Sequence, residues 1–122
     1  MLYIRFMNDN QLENAKAQMR KGTLEYCILL IISKDQVYAS DILKELKEAN
    51  LLVVEGTLYP LLSRLKSSSL LSYNWVESPS GPPRKYYSLT EKGKENLKQL
   101  NESWQVLTES VKSLIKNHEK NN

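Results

Sequence analysis

Seven polar side chains in the middle of this 122-residue chain have types and spacings suited to one kind of chemistry. In EGTLYPLLSRLKSSS, Tyr59, Ser63 and Lys66 recur at helical spacing, with Arg64 beside them and Thr57 just ahead. Further on, Arg84 and Lys85 adjoin SPSGPP, the only stretch rich in proline and glycine. A guanidinium can donate two parallel hydrogen bonds to guanine. Ammonium and hydroxyl groups can donate to phosphate oxygens or base edges. This is the chemistry of holding a polyanion, not of making or breaking bonds. Across residues 51–89, Arg64, Lys66, Arg84 and Lys85 face only Glu55 and Glu77, so the segment carries +2 of the chain's net +3. None of the four has an obvious acidic partner at helical spacing.

Catalysis has no comparable support. There is no nucleophile–base pair, no acid–base pair of carboxylates and no phosphate-binding glycine loop, so no catalytic residue and no cofactor are assigned. A single histidine, His118, and a single cysteine, Cys27, cannot make a zinc site. Cys27 lies in LEYCILLII and reads as a small buried hydrophobe in a reducing, cytoplasmic setting. The apolar run from Cys27 to Ile32 is too short to span a bilayer, and MLYIRFMNDN lacks a signal-peptide pattern, so no membrane partner is expected.

The elements that must position these groups follow from apolar periodicity. Residues 9–20 have helix-forming composition with a thin stripe at Leu12, Ala15 and Met19, and Lys21-Gly22 is expected to end this helix. Thr23 then starts a central core helix, apolar on most sides. A third helix runs from about Ser40 to Asn50 with Ile42, Leu43 and Leu46 inward. The fourth is the stretch carrying Tyr59, and Leu58, Leu61, Leu62 and Leu65 are its core face. Pro60 fits two ways. Either Thr57 is the N-cap and Pro60 sits in the first turn, or the helix begins near Glu55, Pro60 strains one turn, and Gly56 minimises the clash because it has no Cβ.

LLSYNWVE and RKYYSL read as two strands of a β-hairpin around SPSGPP, a loop expected to be too long for a two-residue turn. Of Tyr86 and Tyr87, one faces the core and one solvent. Trp75 reads as core packing. Thr90 caps the last helix and Gly93 lies in its first turn. Beyond it Leu97, Leu100, Trp104, Leu107, Val111 and Leu114 form an a/d heptad seam, expected to be a dimer interface. The tail from about Lys116 is expected to fray. The fold class is thus mainly α with a small β-hairpin. It reads as a winged helix-turn-helix, residues 22–89, between an N-terminal arm or helix, residues 1–21, and a long C-terminal dimerisation helix, residues 90–122.

GTLEYCILLIIS, VYASDILKEL, EGTLYPLLSRL and RKYYSLTEKG together resemble the PadR-like transcriptional regulators over roughly residues 22–110. The resemblance implies a winged-helix homodimer that usually represses a neighbouring promoter. The single C-terminal helix is similar to the short branch of that family. Some members of that branch bind drugs at a tryptophan lining a cavity between subunits. Trp104 in NESWQVL stands where that tryptophan would be. Ala39 and Ser69 depart from the family, which often has glycine at both positions.

The leading expectation is a homodimer that places two recognition helices on an inverted-repeat operator in double-stranded DNA. Its DNA-binding residues would be Thr57, Tyr59, Ser63, Arg64, Lys66, Arg84 and Lys85. Tyr59 is open to a second reading, as a surface aromatic packed on a neighbour. Trp104 is likewise open between dimer packing and a cavity for a small flat aromatic or cationic inducer. The alternative from another class is a protein-interaction module that uses the heptad helix without specific DNA binding.

Overall fold

The computed structural model describes residues 2–51 and 53–119, with side chains from residue 10 onward. The chain order is α1 (Leu2–Ile32), β1 (Val37–Tyr38), α2 (Ala39–Glu48), α3 (Glu55–Ser67), β2 (Leu71–Ser78), β3 (Gly81–Leu89) and α4 (Glu91–Glu119). Its mainly helical architecture, with a small antiparallel sheet and a long C-terminal helix, is the expected fold class. Ile28, Leu29 and Ile32 of α1, Ile42 and Leu46 of α2, and Leu58, Leu62 and Leu65 of α3 are buried together. Leu70, Leu71 and Tyr87 close this core from the sheet side, and Leu97 closes it from α4. The leucine spacing in α3 therefore does what its period dictates, with Leu61 half-buried at the margin.

Several boundaries differ from expectation. α1 runs without a break through Lys21-Gly22. The Thr23 hydroxyl donates back to the carbonyls of Met19 and Arg20, the arrangement of a mid-helix threonine and not of a cap. A Cβ on Gly22 would meet nothing within 4 Å, so this glycine only weakens the helix by about 1 kcal/mol relative to alanine. α2 starts one residue earlier than Ser40 and ends at Glu48. Its first turn is closed by the Asp41 carboxylate, which accepts from the Tyr38 backbone N–H at 3.2 Å. α4 continues past Lys116 to Glu119; the expected fraying of residues 120–122 lies outside the described residues.

α3 begins at Glu55, with Val54 and not Thr57 at its N-cap position, so Pro60 is inside the helix. The bond lost to proline is the one that would have reached the Gly56 carbonyl four residues back. A Cβ on Gly56 would meet nothing within 4 Å, so steric relief of the proline is not what this glycine supplies.

Both α2 and α3 end in a left-handed residue, Asn50 at φ 63° and Ser69 at φ 64°. In each, the next N–H reaches back five residues, from Leu51 to the Leu46 carbonyl and from Leu70 to the Leu65 carbonyl. The apolar pairs Leu46–Leu51 and Leu65–Leu70 accompany these Schellman turns. Ser69 thus occupies a left-handed backbone conformation that favours glycine.

The sheet has three strands in the order β1-β3-β2, with β1 a short strand that the sequence reading missed. Val37 pairs with Tyr87 and Tyr38 with Tyr86. The β2–β3 hairpin closes on the pair Ser78–Gly81, so the connection is the two residues Pro79 and Ser80, not a long loop. Between the Val76–Arg84 and Ser78–Gly81 pairs, Pro82 and Pro83 oppose Glu77 alone. This bulge accommodates two residues that have no N–H to give to a ladder.

Candidate nucleic-acid interface

α3 and the hairpin carry all seven polar residues singled out from the sequence. Tyr59, Ser63, Arg64 and Lys66 are all exposed on α3, opposite its buried leucines. They do not form one patch. At 3.6 residues per turn, Thr57 and Arg64 lie about 160° round the helix from Tyr59 and Lys66, with Ser63 on the ridge between them.

The Thr57–Arg64 flank faces α1. There Arg64 is ion-paired with Glu25, a partner on another helix that spacing along α3 could not reveal. This flank borders a groove of about 430 Å³ between α1 and α3, with Leu24, Leu51, Val53 and Leu61 on its floor and Arg20 and Lys21 on its rim. The Tyr59–Lys66 flank faces the hairpin. Lys66 Nζ sits 4.9 Å from the centre of the Tyr73 ring on β2.

The hairpin basics are divided in the same way. Strand alternation puts Leu71, Tyr73, Trp75, Lys85 and Tyr87 on the sheet face shared with α3, because Tyr73 pairs with Tyr87 and Trp75 with Lys85. Arg84 points to the other face, where its guanidinium stacks 4.9 Å from the Tyr38 ring. Lys85 Nζ lies 4.5 Å from the Tyr73 ring and 5.3 Å from the Trp75 ring. Trp75 is 61% exposed, so its reading as a core residue is corrected: it lies beyond the edge of α3, edge-on to Tyr73. Tyr87 is the inward member of the Tyr86–Tyr87 pair. Burial, with Tyr59 and Tyr73 beside it, pushes its hydroxyl up from the usual tyrosine range and keeps it protonated. Tyr73 and Trp75 were not singled out as site residues. Period-two alternation along LLSYNWVE was the signal that could have found them.

The C-terminal helix leaves an apolar seam exposed. Of the seam residues, Leu97 is buried, while Leu100, Trp104, Leu107, Val111 and Leu114 are 38–60% exposed. Trp104 rests partly on Tyr26 of α1, with ring centres 6.0 Å apart, and the Tyr26 hydroxyl donates to Asn101 Oδ1 at 2.5 Å. Burial pushes the Cys27 thiol up, as expected of an inert cysteine. Among the described residues no group of histidine, cysteine and carboxylate side chains could hold a metal ion, and no helix is long and apolar enough to cross a membrane.

The profile of the Transcriptional regulator PadR-like family matches residues 28–99, more than half of the chain. The chain belongs to this family. A PadR-like transcription factor from Bacteroides fragilis is 62% identical over 83% of this chain and 98% of its own, with a TM-score of 0.71. A PadR-like transcriptional regulator from Bacillus cereus is 41% identical over 80% of this chain and 96% of its own, with a TM-score of 0.73. Bacillus subtilis PadR, solved in complex with operator DNA, is 25% identical over 64% of this chain and 45% of its own, with a TM-score of 0.60. As in other PadR-like regulators, α2, α3 and the β2–β3 hairpin form a winged helix-turn-helix, with α3 in the place of the recognition helix and the hairpin as the wing. The family consists of transcriptional regulators and not enzymes.

Proposed function

We propose that this PadR-like regulator is a homodimeric repressor that binds an inverted repeat in double-stranded DNA. Residues 22–89 are the DNA-binding unit, residues 90–122 the dimerisation helix, and residues 1–21 an arm that extends α1. The observation that carries the reading is the polar outer face of α3, flanked by a wing that adds its own basic residues. Operator DNA in the complex of the Bacillus subtilis relative supports the choice of partner. Tyr59, Ser63 and Lys66 face DNA from α3, with Thr57 and Arg64 on its other flank. Lys85 and Arg84 meet the backbone from opposite faces of the wing. The exposed Leu100, Leu107, Val111 and Leu114 pair with the same residues of a second copy. Such a regulator works where the chromosome is, in the cytoplasm.

The test is fluorescence anisotropy with a duplex covering the DNA upstream of the chain's own gene, alongside sedimentation. The expected result is a dimer that binds this duplex in preference to a scrambled one at 150 mM salt, about physiological ionic strength. Arg64→Ala and Lys66→Ala should each weaken binding, and loss of a phosphate contact should lower the salt slope without changing the preferred site. A folded dimer without sequence preference would refute the proposal.

A second reading, which adds to the first, is an inducer site at Trp104. Its support is a tryptophan 40% exposed on an apolar seam and backed by Tyr26. A flat aromatic or cationic compound stacked there would shift the dimer toward a spacing unfavourable for DNA. Quenching of tryptophan fluorescence by such compounds should disappear in Trp104→Ala. Quenching that persists would move the site elsewhere.

A further inference from the structure

Ion pairs among the described residues join Lys16 to Glu13, Lys34 to Glu45, Arg64 to Glu25 and Lys94 to Glu91. Lys66 and Lys85 are in none of them. Both side chains instead end on one aromatic ring. Lys66 Nζ from the last turn of α3 is 4.9 Å from the centre of Tyr73, and Lys85 Nζ from β3 is 4.5 Å from the same centre. Trp75 stands edge-on to Tyr73 and gives Lys85 a second ring at 5.3 Å.

The difference between the two kinds of partner matters physically. A carboxylate holds a cation and also cancels its charge. An aromatic face attracts the cation through its quadrupole and leaves the charge in place. Two like charges held close to one ring repel each other, and an anion that both can reach relieves this repulsion. A phosphate diester has two free oxygens and accepts from ammonium groups at about 2.8 Å. Tyr73 itself is half-buried and anchored in the ladder opposite Tyr87, so it is a fixed platform. The ring therefore brings together one charge from the recognition helix and one from the wing.

We infer that Lys66 and Lys85 form a single clamp for one backbone phosphate per half-site, with Tyr73 as the positioning residue that couples helix to wing. The inference rests on the reading of this face as DNA-binding and adds to it which groups act as a unit. Lys66 then supplies orientation and not base readout. That leaves Tyr59 and Ser63 to face the bases on this side of α3.

The experiment uses the full-length protein and a duplex that the wild-type chain selects from a random pool. Anisotropy titrations between 50 and 200 mM KCl, a range over which phosphate contacts are read strongly, give affinity and salt slope. For one shared phosphate, the double variant Lys66→Gln/Lys85→Gln lowers the slope by about 0.9 per half-site. For two separate phosphates it lowers the slope by about 1.8 per half-site, which would overturn the clamp. Tyr73→Leu is expected to weaken binding about tenfold in the wild-type background. It should have little effect once both lysines are gone, while Tyr73→Phe keeps wild-type binding. An equal loss from Tyr73→Leu in both backgrounds would show that the ring acts without the lysines and would also overturn the inference. A wild-type protein that selects no duplex would overturn both the clamp and the reading beneath it. Neither lysine belongs to the buried core, so the slope is readable even if Tyr73→Leu proves unstable.

Discussion

Gly93 offers a substitution whose sign separates local propensity from packing. It lies in the first turn of α4, where alanine would favour the helix by about 1 kcal/mol. A Cβ built there, however, falls 2.1 Å from the Leu70 carbonyl oxygen and 3.1 Å from its carbon. Ordinary carbon–oxygen contacts begin near 3.3 Å, so the α4 start and the α3–β2 turn must separate by about 1 Å. That gap would open a hydrogen-bonded joint. The Thr90 N–H donates to the Leu70 carbonyl at 3.1 Å, and the Thr90 hydroxyl donates to the Ser69 carbonyl at 2.6 Å. Weakening two hydrogen bonds costs about 1 kcal/mol each, and overpacking against backbone adds about 1–3 kcal/mol. Set against the propensity gain, Gly93→Ala should destabilise the protein by about 3 kcal/mol. Urea denaturation at fixed protein concentration reads this as a lower midpoint with unchanged slope. Gly22→Ala is the control: nothing lies within 4 Å of its Cβ, so it should stabilise by about 1 kcal/mol. If Gly93→Ala matched Gly22→Ala in sign, the packing argument would be wrong.

Ser69→Gly should stabilise by about 1 kcal/mol, because Ser69 holds φ 64° at a cost that glycine does not bear; thermal melting would show it, and an unchanged midpoint would count against strain at this turn. Leu107→Asp places a charge on the exposed seam and should convert the proposed dimer to monomers in sedimentation while leaving helix content intact. Tyr26→Phe removes the 2.5 Å bond to Asn101 and should cost about 1 kcal/mol in urea denaturation. Glu25→Gln releases Arg64, whose side chain is 62% exposed, so stability should change by less than about 1 kcal/mol. Binding to the selected duplex should meanwhile tighten and become more salt-dependent. An unchanged salt slope would show that Arg64 stays away from phosphate.

Local patterns were the legible part of the fold. The 3.6-residue period of Leu58, Leu62 and Leu65 identified the face of α3 that is buried, and Thr90 does donate and accept at the start of α4. What could not be read depended on partners distant in sequence. β1 is two residues long and exists because Val37 and Tyr38 find Tyr87 and Tyr86. Glu25 meets Arg64 only because α1 packs beside α3. At Gly22 the local signal itself misled, since glycine ends helices more often than it interrupts them. The split between Arg84 and Lys85 was available and unused. The alternation that separates Tyr86 from Tyr87 separates these two as well.

The joint around Gly93 also bears on how the two ends of the molecule are coupled. The carbonyls of Ser68, Ser69 and Leu70 accept from Lys92 Nζ, the Thr90 hydroxyl and the Thr90 N–H, at 3.0, 2.6 and 3.1 Å. Every carbonyl in the connection from α3 to β2 is thus tied to Thr90, just before α4, or to Lys92 in its first turn. Among the described residues the start of α3 has no comparable tie: Val54 at its N-cap is 70% exposed and makes no side-chain cap. α3 is therefore fixed to the C-terminal helix at its end and not at its beginning. If α4 holds a dimer together, as proposed, a change in the angle between the two α4 helices would reach α3 through this joint, beside Lys66 in its last turn. Lys66 is also where α3 meets the wing through Tyr73. The spacing of the two recognition helices and the posture of the wing would then change together. A ligand at the proposed Trp104 site would have no need to touch α3 to disturb both.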